Sequence, residues 1–270
     1  MKNYWIYFRL HVHTSVEDAW EQLTDKGLTV LYSEEDPDTE EMILVCVSPQ
    51  EDVTQEWLSQ FPFIVSYTKI EAPAIDWESQ WSLHGQNYEG GYIHLKIPDM
   101  EKEIKLLPGP GFGDLSHPTT RLVIELMPAI VKGKEIVDIG CGSGILAVAA
   151  VGMGAAKVYA IDIDPAAIEH TESNVKLNGW EDVVWIGQNE ALLKLPLNDE
   201  LVGLMNMISS EQTEAWRSLR FIRSKFQTLI VSGILEEELT DEETRWRTDG
   251  WQVVHHAIQD GWCALLLGRT

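Results

Sequence analysis

The sequence predicts an α/β protein in two parts: a mostly parallel, helix-flanked sheet in the C-terminal half, preceded by a small α+β unit. Three observations carry this. Residues 135–165, EIVDIGCGSGILAVAAVGMGAAKVYAIDIDP, read as strand, glycine loop, helix and a second strand ending in carboxylates; such short apolar runs suit strands buried on both faces of a parallel sheet. The N-terminal residues alternate strand and helix patterns in the order β-α-β-β-α-β. Near the C-terminus, two apolar runs flank Gln259-Asp260-Gly261, and Asp-Gly between such runs is a strong hairpin signal.

In chain order, Tyr4–Val12 alternates aromatic and aliphatic residues as a strand does, with His11 and His13 on one face. Those histidines have no carboxylate or cysteine company, so no metal site is expected there. Thr14 or Ser15 caps a helix through Leu23, and Leu28–Tyr32 is a strand. An acidic turn, Ser33–Glu41, leads to a strand at Met42–Val47. Ser48-Pro49 opens a second helix to about Gln60, and Phe63–Ile70 is the fourth strand. This is the order of a ferredoxin-like α+β domain, placed at residues 1–72.

Residues 73–114 read as a linker helix and connecting strands. Ala74–Leu83 carries Trp77 and Trp81 one turn apart, a face for packing on a neighbouring domain. Tyr88–Ile97 and Ile104–Leu107 are strands. Leu107–Thr120, LPGPGFGDLSHPTT, is dense in glycine, proline and hydroxyls, which marks a shaped loop. It is read as a ligand lid or wall, with a rigid interdomain connector as the alternative. Pro118 then sits in the first turn of a helix running through Leu126.

The larger domain is assigned to residues 115–270. Glu135–Ile139 is its first strand, and Gly140, Gly142 and Gly144 follow where a Cβ would block a tight turn and close ligand approach. Ile145–Met153 is a buried helix closed by Gly154; Lys157–Ile161 is the next strand. Asp162 and Asp164 stand at its carboxyl end, where a carboxylate takes the hydroxyls of a ribose. A dinucleotide fingerprint is G-x-G-x-x-G; here the pattern is D-x-G-x-G-x-G, with Ile145 where the third glycine belongs. It resembles the first motif of S-adenosylmethionine-dependent methyltransferases with a Rossmann-like fold. That cofactor offers an ammonium, a carboxylate, a sulfonium and an adenosine but no phosphate, and Asp138 before the loop suits a cationic ligand. A structural glycine turn in another α/β protein is the weaker alternative, kept because short motifs have false positives.

Pro165–Leu177 is a helix stopped at Asn178-Gly179, and Val183–Ile186 is the third strand. Leu201–Met205 is the fourth, with Asn206 at its carboxyl end, where open parallel sheets bind ligands. Gln212–Phe226 reads as a helix, Thr228–Val231 as the fifth strand and Glu236–Arg247 as a helix. Trp251–Ala257 and Trp262–Leu267 form the closing antiparallel hairpin. A parallel sheet closed in this way is the outline of a Rossmann-like methyltransferase.

Composition bounds the partners. The chain has 270 residues, 44% of them apolar, enough for one large domain and a smaller one. It has no long apolar run for a membrane span and no signal-peptide pattern, and three widely spaced cysteines suit a reducing cytoplasm. Twenty basic against 43 acidic residues give a formal charge of −23, which repels naked nucleic acid. Steering of a basic partner and simple solubility explain that charge equally well.

With the elements placed, a wider set of residues lines up: Asp76-Trp77 with Trp81, Pro108-Gly109, Phe112-Gly113, His117-Pro118-Thr119-Thr120, Gly140 to Ala147, Asp162 to Pro165, Asn174, Leu177-Asn178-Gly179, Asn206, Ser232 to Leu235 and Trp262. In this order, over nearly the whole chain, they are similar to the bacterial methyltransferases of large-subunit ribosomal protein eleven, the PrmA type. Three places depart from that pattern. Leu107-Pro108-Gly109 replaces Asp-Pro-Gly, Gly113-Asp114-Leu115-Ser116 replaces Gly-Thr-Gly-Thr, and Asn206-Met207-Ile208 replaces Asn-Ile-Leu.

The resemblance implies methyl transfer from S-adenosylmethionine, leaving S-adenosylhomocysteine, to lysine or N-terminal amino groups of a basic ribosomal protein gripped by the N-terminal domain. No metal, nucleic acid or membrane is called for. In-line displacement on a sulfonium asks mainly for alignment and for stripping water from the amine. Asn206 is the residue to hold that amine; His117 either accepts a proton or caps the following helix. Thr119, Thr120, Asp138, Gly140, Gly142, Gly144, Asp162 and Asn206 are the cofactor-binding set. Cys141 is a small filler in the loop, without a paired histidine in sequence. The alternatives are a methyltransferase of another protein or small amine, and a non-catalytic relative that binds a basic protein.

Overall fold

The computed structural model describes residues 4–26, 28–36, 39, 41–48, 55–71, 88–96 and 103–269. The chain forms two compact units, residues 1–75 and 76–270. The expected helix at Ala74–Leu83 with Trp77 and Trp81, and the Pro49 start of the second helix, lie outside the described residues.

The first unit runs β1 (Tyr4–Leu10), α1 (Val16–Asp25), β2 (Thr29–Glu35), β3 (Met42–Ser48), α2 (Gln55–Leu58) and β4 (Ile64–Glu71). Its sheet has the order β2-β3-β1-β4, with antiparallel neighbours throughout. The period of two along β1 sends Ile6, Phe8 and Leu10 to one face. There they pack with Leu44 and Cys46 of β3, Ala19 and Leu23 of α1, and Phe61. Ser15 caps α1, its Oγ accepting from the Asp18 amide at 3.2 Å. The strand ends two residues sooner than its sequence pattern suggests. The His11 amide bonds the Phe63 carbonyl, and the Thr14 amide turns back to the His11 carbonyl. His11 and His13 are therefore exposed turn residues, not members of a strand face.

The second unit opens with a three-stranded antiparallel sheet, β5 (Tyr88–Glu89), β6 (Tyr92–Leu95) and β7 (Ile104–Leu106). The single strand expected from Tyr88 is a tight hairpin instead. Gly90 and Gly91 have φ of 61° and 87°, the paired positive values a type I′ turn requires. Ile93, Leu95, Ile104 and Leu106 join the core of the larger domain.

The main sheet has the order β10-β9-β8-β11-β12-β14-β13, comprising β8 (Glu135–Ile139), β9 (Lys157–Ile161), β10 (Val184–Gly187), β11 (Leu201–Asn206), β12 (Phe226–Leu235), β13 (Trp251–Gln259) and β14 (Trp262–Arg269). β8 to β12 are parallel; β14 runs antiparallel to both β12 and β13. The hairpin turns through Asp260 and Gly261, both at positive φ. The chain winds outward from β8 to β10 and returns to β11, so a topological switch point lies between β8 and β11. Ligands of such sheets bind outside the carboxyl strand ends at that point. The helices are α3 (Pro118–Leu126), α4 (Ile145–Gly152), α5 (Pro165–Asn178), α6 (Ser209–Ser218) and α7 (Leu239–Thr248). Alternate strand residues feed two cores. Ile136, Val158 and Leu204 pack with α3 and α4 on one face, and Val137, Tyr159 and Met205 pack with Trp216 of α6 and Trp246 of α7 on the other.

The helix expected over Gln212–Phe226 begins earlier and ends at Ser218. A 3₁₀ turn at Arg223–Lys225 follows, and Phe226 already belongs to β12. Trp216, Leu219, Ile222 and Phe226 are all buried at near-helical spacing, so periodicity alone could not locate the break. The expected helix at Glu236–Arg247 starts as a 3₁₀ turn, and α7 proper begins at Leu239.

Candidate functional site

The carboxyl ends of β8, β9 and β11 hold most of the residues singled out from sequence. Gly140, Gly142 and Gly144 have φ of 72°, 56° and 80°, a region glycine enters without strain. The Gly140 and Cys141 amides both donate to the Ile161 carbonyl, at 2.8 and 3.0 Å. Asp162 supports the loop from the next strand, accepting from the Gly142 and Asp164 amides at 3.0 Å each. Asp164 itself caps α5, accepting from the Ala166 amide at 2.9 Å.

The segment before α3 lies directly on this loop. The Ser143 amide donates to the Phe112 carbonyl at 2.8 Å, and the Ser143 hydroxyl donates to the Gly113 carbonyl. A Cβ on Gly142 would stand 2.3 Å from the Phe112 oxygen, and one on Gly111 would stand 2.3 Å from the Gly142 backbone. Two glycine backbones thus meet where no side chain fits.

Asp138 and Asn206 are the electrostatic centre. Asp138 pairs in register with Leu204, so Asp138 and Asn206 stand on the same face of adjacent strands. Asp138 is fully buried, and neither of its oxygens has a hydrogen-bond partner among the described residues. Burial pushes its pKa up to about 7; the Ala147 amide opposes this without reaching hydrogen-bond geometry, and the charge of Asp162 adds to it. Asn206 donates from Nδ2 to the Thr120 hydroxyl at 3.3 Å, while its buried Oδ1 has no partner among the described residues. Buried polar atoms are ordinarily satisfied. Three orphaned acceptor oxygens beside a glycine cradle fit a ligand that brings N–H donors and positive charge.

His117 sits at the N-cap of α3. Its Nδ1 lies 2.8 Å from the Thr119 hydroxyl and accepts from the Thr119 amide at 3.4 Å. The ring is edge-on to Phe112 and Trp262. Burial lowers its pKa; Asp114 opposes the shift and Arg121 supports it. Capping of α3 is thus one of the contacts the ring makes, beside the Thr119 hydroxyl and the two aromatic rings. Thr119 and Thr120 are both buried, one bonded to His117 and the other to Asn206.

Gln212 and His170 belong to no motif, and the contacts of Met207, Asn174 and Asn178 emerge only in the fold. Met207 follows Asn206, and its Cε stands 2.4 Å from where a Gly140 Cβ would be. Gln212, fully buried, donates to the Met207 carbonyl at 2.8 Å and accepts from Arg245 at 2.9 Å, fixing the chain after β11. On α5, His170, Asn174 and Asn178 are all buried; polar residues spaced by four on a helix otherwise rich in exposed charge were the available signal. Among the described residues, no group of three or more His, Cys, Asp or Glu is placed to hold a metal, and no helix is long and apolar enough to cross a membrane.

A family model described as ribosomal protein L11 methyltransferase (PrmA) matches residues 17–270. The ribosomal protein L11 methyltransferase of Synechococcus elongatus is 34% identical over 204 residues, 71% of this chain and 68% of that protein. The one from Bacillus cytotoxicus is 50% identical over 174 residues, 56% of either chain. Among solved structures, the ribosomal protein L11 methylase of Lactobacillus delbrueckii subsp. bulgaricus aligns with a TM-score of 0.50 at 30% identity, covering 65% of this chain and 90% of that one.

Proposed function

The chain belongs to the ribosomal protein L11 methyltransferase (PrmA) family, and from that membership we propose that it transfers methyl groups from S-adenosylmethionine to lysine or N-terminal amino groups of ribosomal protein L11. The observation in this chain that carries the reading is the pair Asp138 and Asn206, orphaned acceptors on one sheet face beside a glycine loop.

When bound, S-adenosylmethionine supplies a methyl group activated on a sulfonium. Asp138 and the glycine loop accept the ammonium end of that ligand. Asp162 takes the ribose; each of its oxygens keeps a lone pair beyond the bond to a backbone amide. Thr119, Thr120, Gly140, Gly142 and Gly144 complete the lining. Asn206 accepts an N–H of the target amine through Oδ1, which turns the nitrogen lone pair toward the methyl. The same amide is anchored through Nδ2 to Thr120, so its acceptor is already oriented before the amine arrives. A dry site favours the neutral amine, since desolvation penalises an ammonium. His117 caps α3 and packs edge-on against Phe112 rather than taking the proton. The amine loses its proton to solvent.

The N-terminal unit supports a substrate-recognition role. We read it as a ferredoxin-like domain, a reading that its β-α-β-β-α-β order and the strand arrangement β2-β3-β1-β4 support. The charge of −23 favours a basic protein partner over nucleic acid. Three buried free cysteines suit a cytoplasmic setting.

Transfer of labelled methyl groups to purified L11 tests this reading. L11 with free amines accepts label, and L11 whose amines have been acetylated does not. Turnover rises between about pH 7 and 9 as the neutral fraction of an amine grows, free lysine having a pKa of about 10.4. Equal labelling of both forms, or a flat profile with transfer rate-limiting, contradicts an amine acceptor.

A further inference from the structure

We propose that His170 is a positioning residue, a neutral imidazole clamp that holds the turn at residues 107–111 and thereby sets how the Phe112-Gly113 segment lies on the glycine loop. The inference deepens the functional reading above, because it takes that loop as the cofactor's seat.

The geometry assigns each ring nitrogen. Nε2 lies 2.8 Å from the Leu107 carbonyl, and Nδ1 lies 3.1 Å from the Gly111 amide. A carbonyl only accepts and an amide only donates. Nε2 therefore carries the hydrogen and Nδ1 is bare, so the ring is locked in one neutral tautomer. An imidazolium would set Nδ1–H against the Gly111 N–H. The turn wraps closely around the ring: a Cβ on Gly109 would stand 2.5 Å from Nε2. Gly109 is thus required for proximity rather than for its backbone angles.

The clamp works because α5 grips both partners at once. Asn174, one helical turn beyond His170, accepts from the Leu107 amide at 2.7 Å and donates to the Ser143 carbonyl at 2.8 Å. Thr171 donates to the Gly142 carbonyl at 3.1 Å. Asn178 accepts from the Lys105 amide and donates to the Lys105 carbonyl. Residues 105–111 and the loop at 142–143 are therefore referenced to the same helix face. The contact of Gly111 with Gly142 leaves no slack between them. Release at His170 would free Gly111, and with it Phe112 and Gly113, which bond Ser143. Leu107, where this chain departs from the family pattern, serves here through its backbone.

Burial lowers the ring's pKa, and the Leu107 carbonyl opposes this. The charged groups of its own helix are Glu169, Glu172 and Lys176, with Asp164 at the N-cap, all exposed; Lys105 of β7 is exposed as well, and Asp138, Cys141 and Asp162 stand around the loop. A folded-state pKa below the unfolded value means that the clamp is complete above about pH 6.5 and is lost as pH falls through the folded value.

The test compares wild type with His170→Gln and His170→Leu, first without ligand. A glutamine amide keeps one donor and one acceptor but cannot titrate in this range. Nitrogen NMR of the His170 ring should show the Nε2–H tautomer at pH 7.5. Hydrogen exchange at the Gly111 amide should be slow at pH 7.5 and should lose about tenfold protection (after correction for intrinsic rate) as the ring protonates. His170→Gln should keep that protection across the range, and His170→Leu should lack it at every pH. Cofactor affinity at pH 7.5 should follow the same order, about tenfold weaker in the leucine variant and nearly unchanged in the glutamine variant. An Nδ1–H tautomer or an imidazolium at pH 7.5, or a glutamine variant no better than leucine, overturns the clamp. If the leucine variant does not fold, the tautomer and the contrast between wild type and glutamine still decide. Exchange that behaves as expected in a protein that binds no S-adenosylmethionine upholds the clamp and rejects the cofactor reading instead.

Discussion

A buried carboxylate without a hydrogen-bond partner is unfavourable as an ion, and among the described residues Asp138 has none. Its folded pKa of about 7 lies above the ordinary value of 3.8. Between those values the native protein binds the extra proton, so stability falls as pH rises from about 4 to 7 and is flat beyond, as far as this group contributes. Asp138→Asn removes the titration. The variant should become more stable than wild type above pH 7, by up to about 4 kcal/mol, and should match it near pH 4. Urea midpoints across that range check this; curves that stay parallel contradict it. The same change should weaken cofactor binding, since a neutral amide replaces the counter-ion of an ammonium. The placing of Asp138, Asp162 and Asn206 at or near the carboxyl ends of strands was legible in the sequence, because apolar runs mark those strands. Gln212 and His170 were not. Gln212 bonds the backbone of Ser232 as well as that of nearby Met207, and His170 bonds the backbone of Leu107 and Gly111; the distant pairings exist only once the chain is folded.

At the scale of elements, the glycine loop and the segment covering it form one interlocked unit, and its glycines differ in kind. Gly142 needs both a positive φ and the absence of a side chain, whereas Gly133 has φ 72° with open space around it. Gly133→Ala should cost about 1–2 kcal/mol from backbone conformation alone. Gly142→Ala should cost clearly more, and should also impair cofactor binding, because a Cβ there meets the Phe112 oxygen. Equal losses in unfolding free energy would show that the segment yields easily and that its fit on the loop is not constrained. The β8-loop-α4-β9 unit and the Asp260-Gly261 hairpin were readable because local chemistry specifies them. The Gly90-Gly91 turn is hidden inside an aromatic and aliphatic run that looks like one strand. The end of α6 is hidden for a different reason. Core packing of Leu219, Ile222 and Phe226 continues a helical spacing after the helix has stopped.

At the scale of the molecule, two units with separate cores divide the labour in the proposed account. Removing residues 1–75 should abolish methylation of L11 while leaving cofactor affinity near that of the full chain; loss of both would assign the first unit a structural role. An acidic protein acting on a basic one should also show a Michaelis constant for L11 that rises with salt, since screening acts over about 8–10 Å. A parallel sheet closed by an antiparallel hairpin follows from the alternation of elements in sequence, but the strand order β10-β9-β8-β11-β12-β14-β13 and the membership of β5–β7 in the larger core do not. The most direct measurement supplies methyl-labelled S-adenosylmethionine to the full-length protein with ribosomal extract from cells lacking this activity, then identifies the labelled species by mass spectrometry. The account predicts label on ribosomal protein L11, on amino groups. Label confined to RNA or to another polypeptide, or none from protein that binds the cofactor, would contradict it.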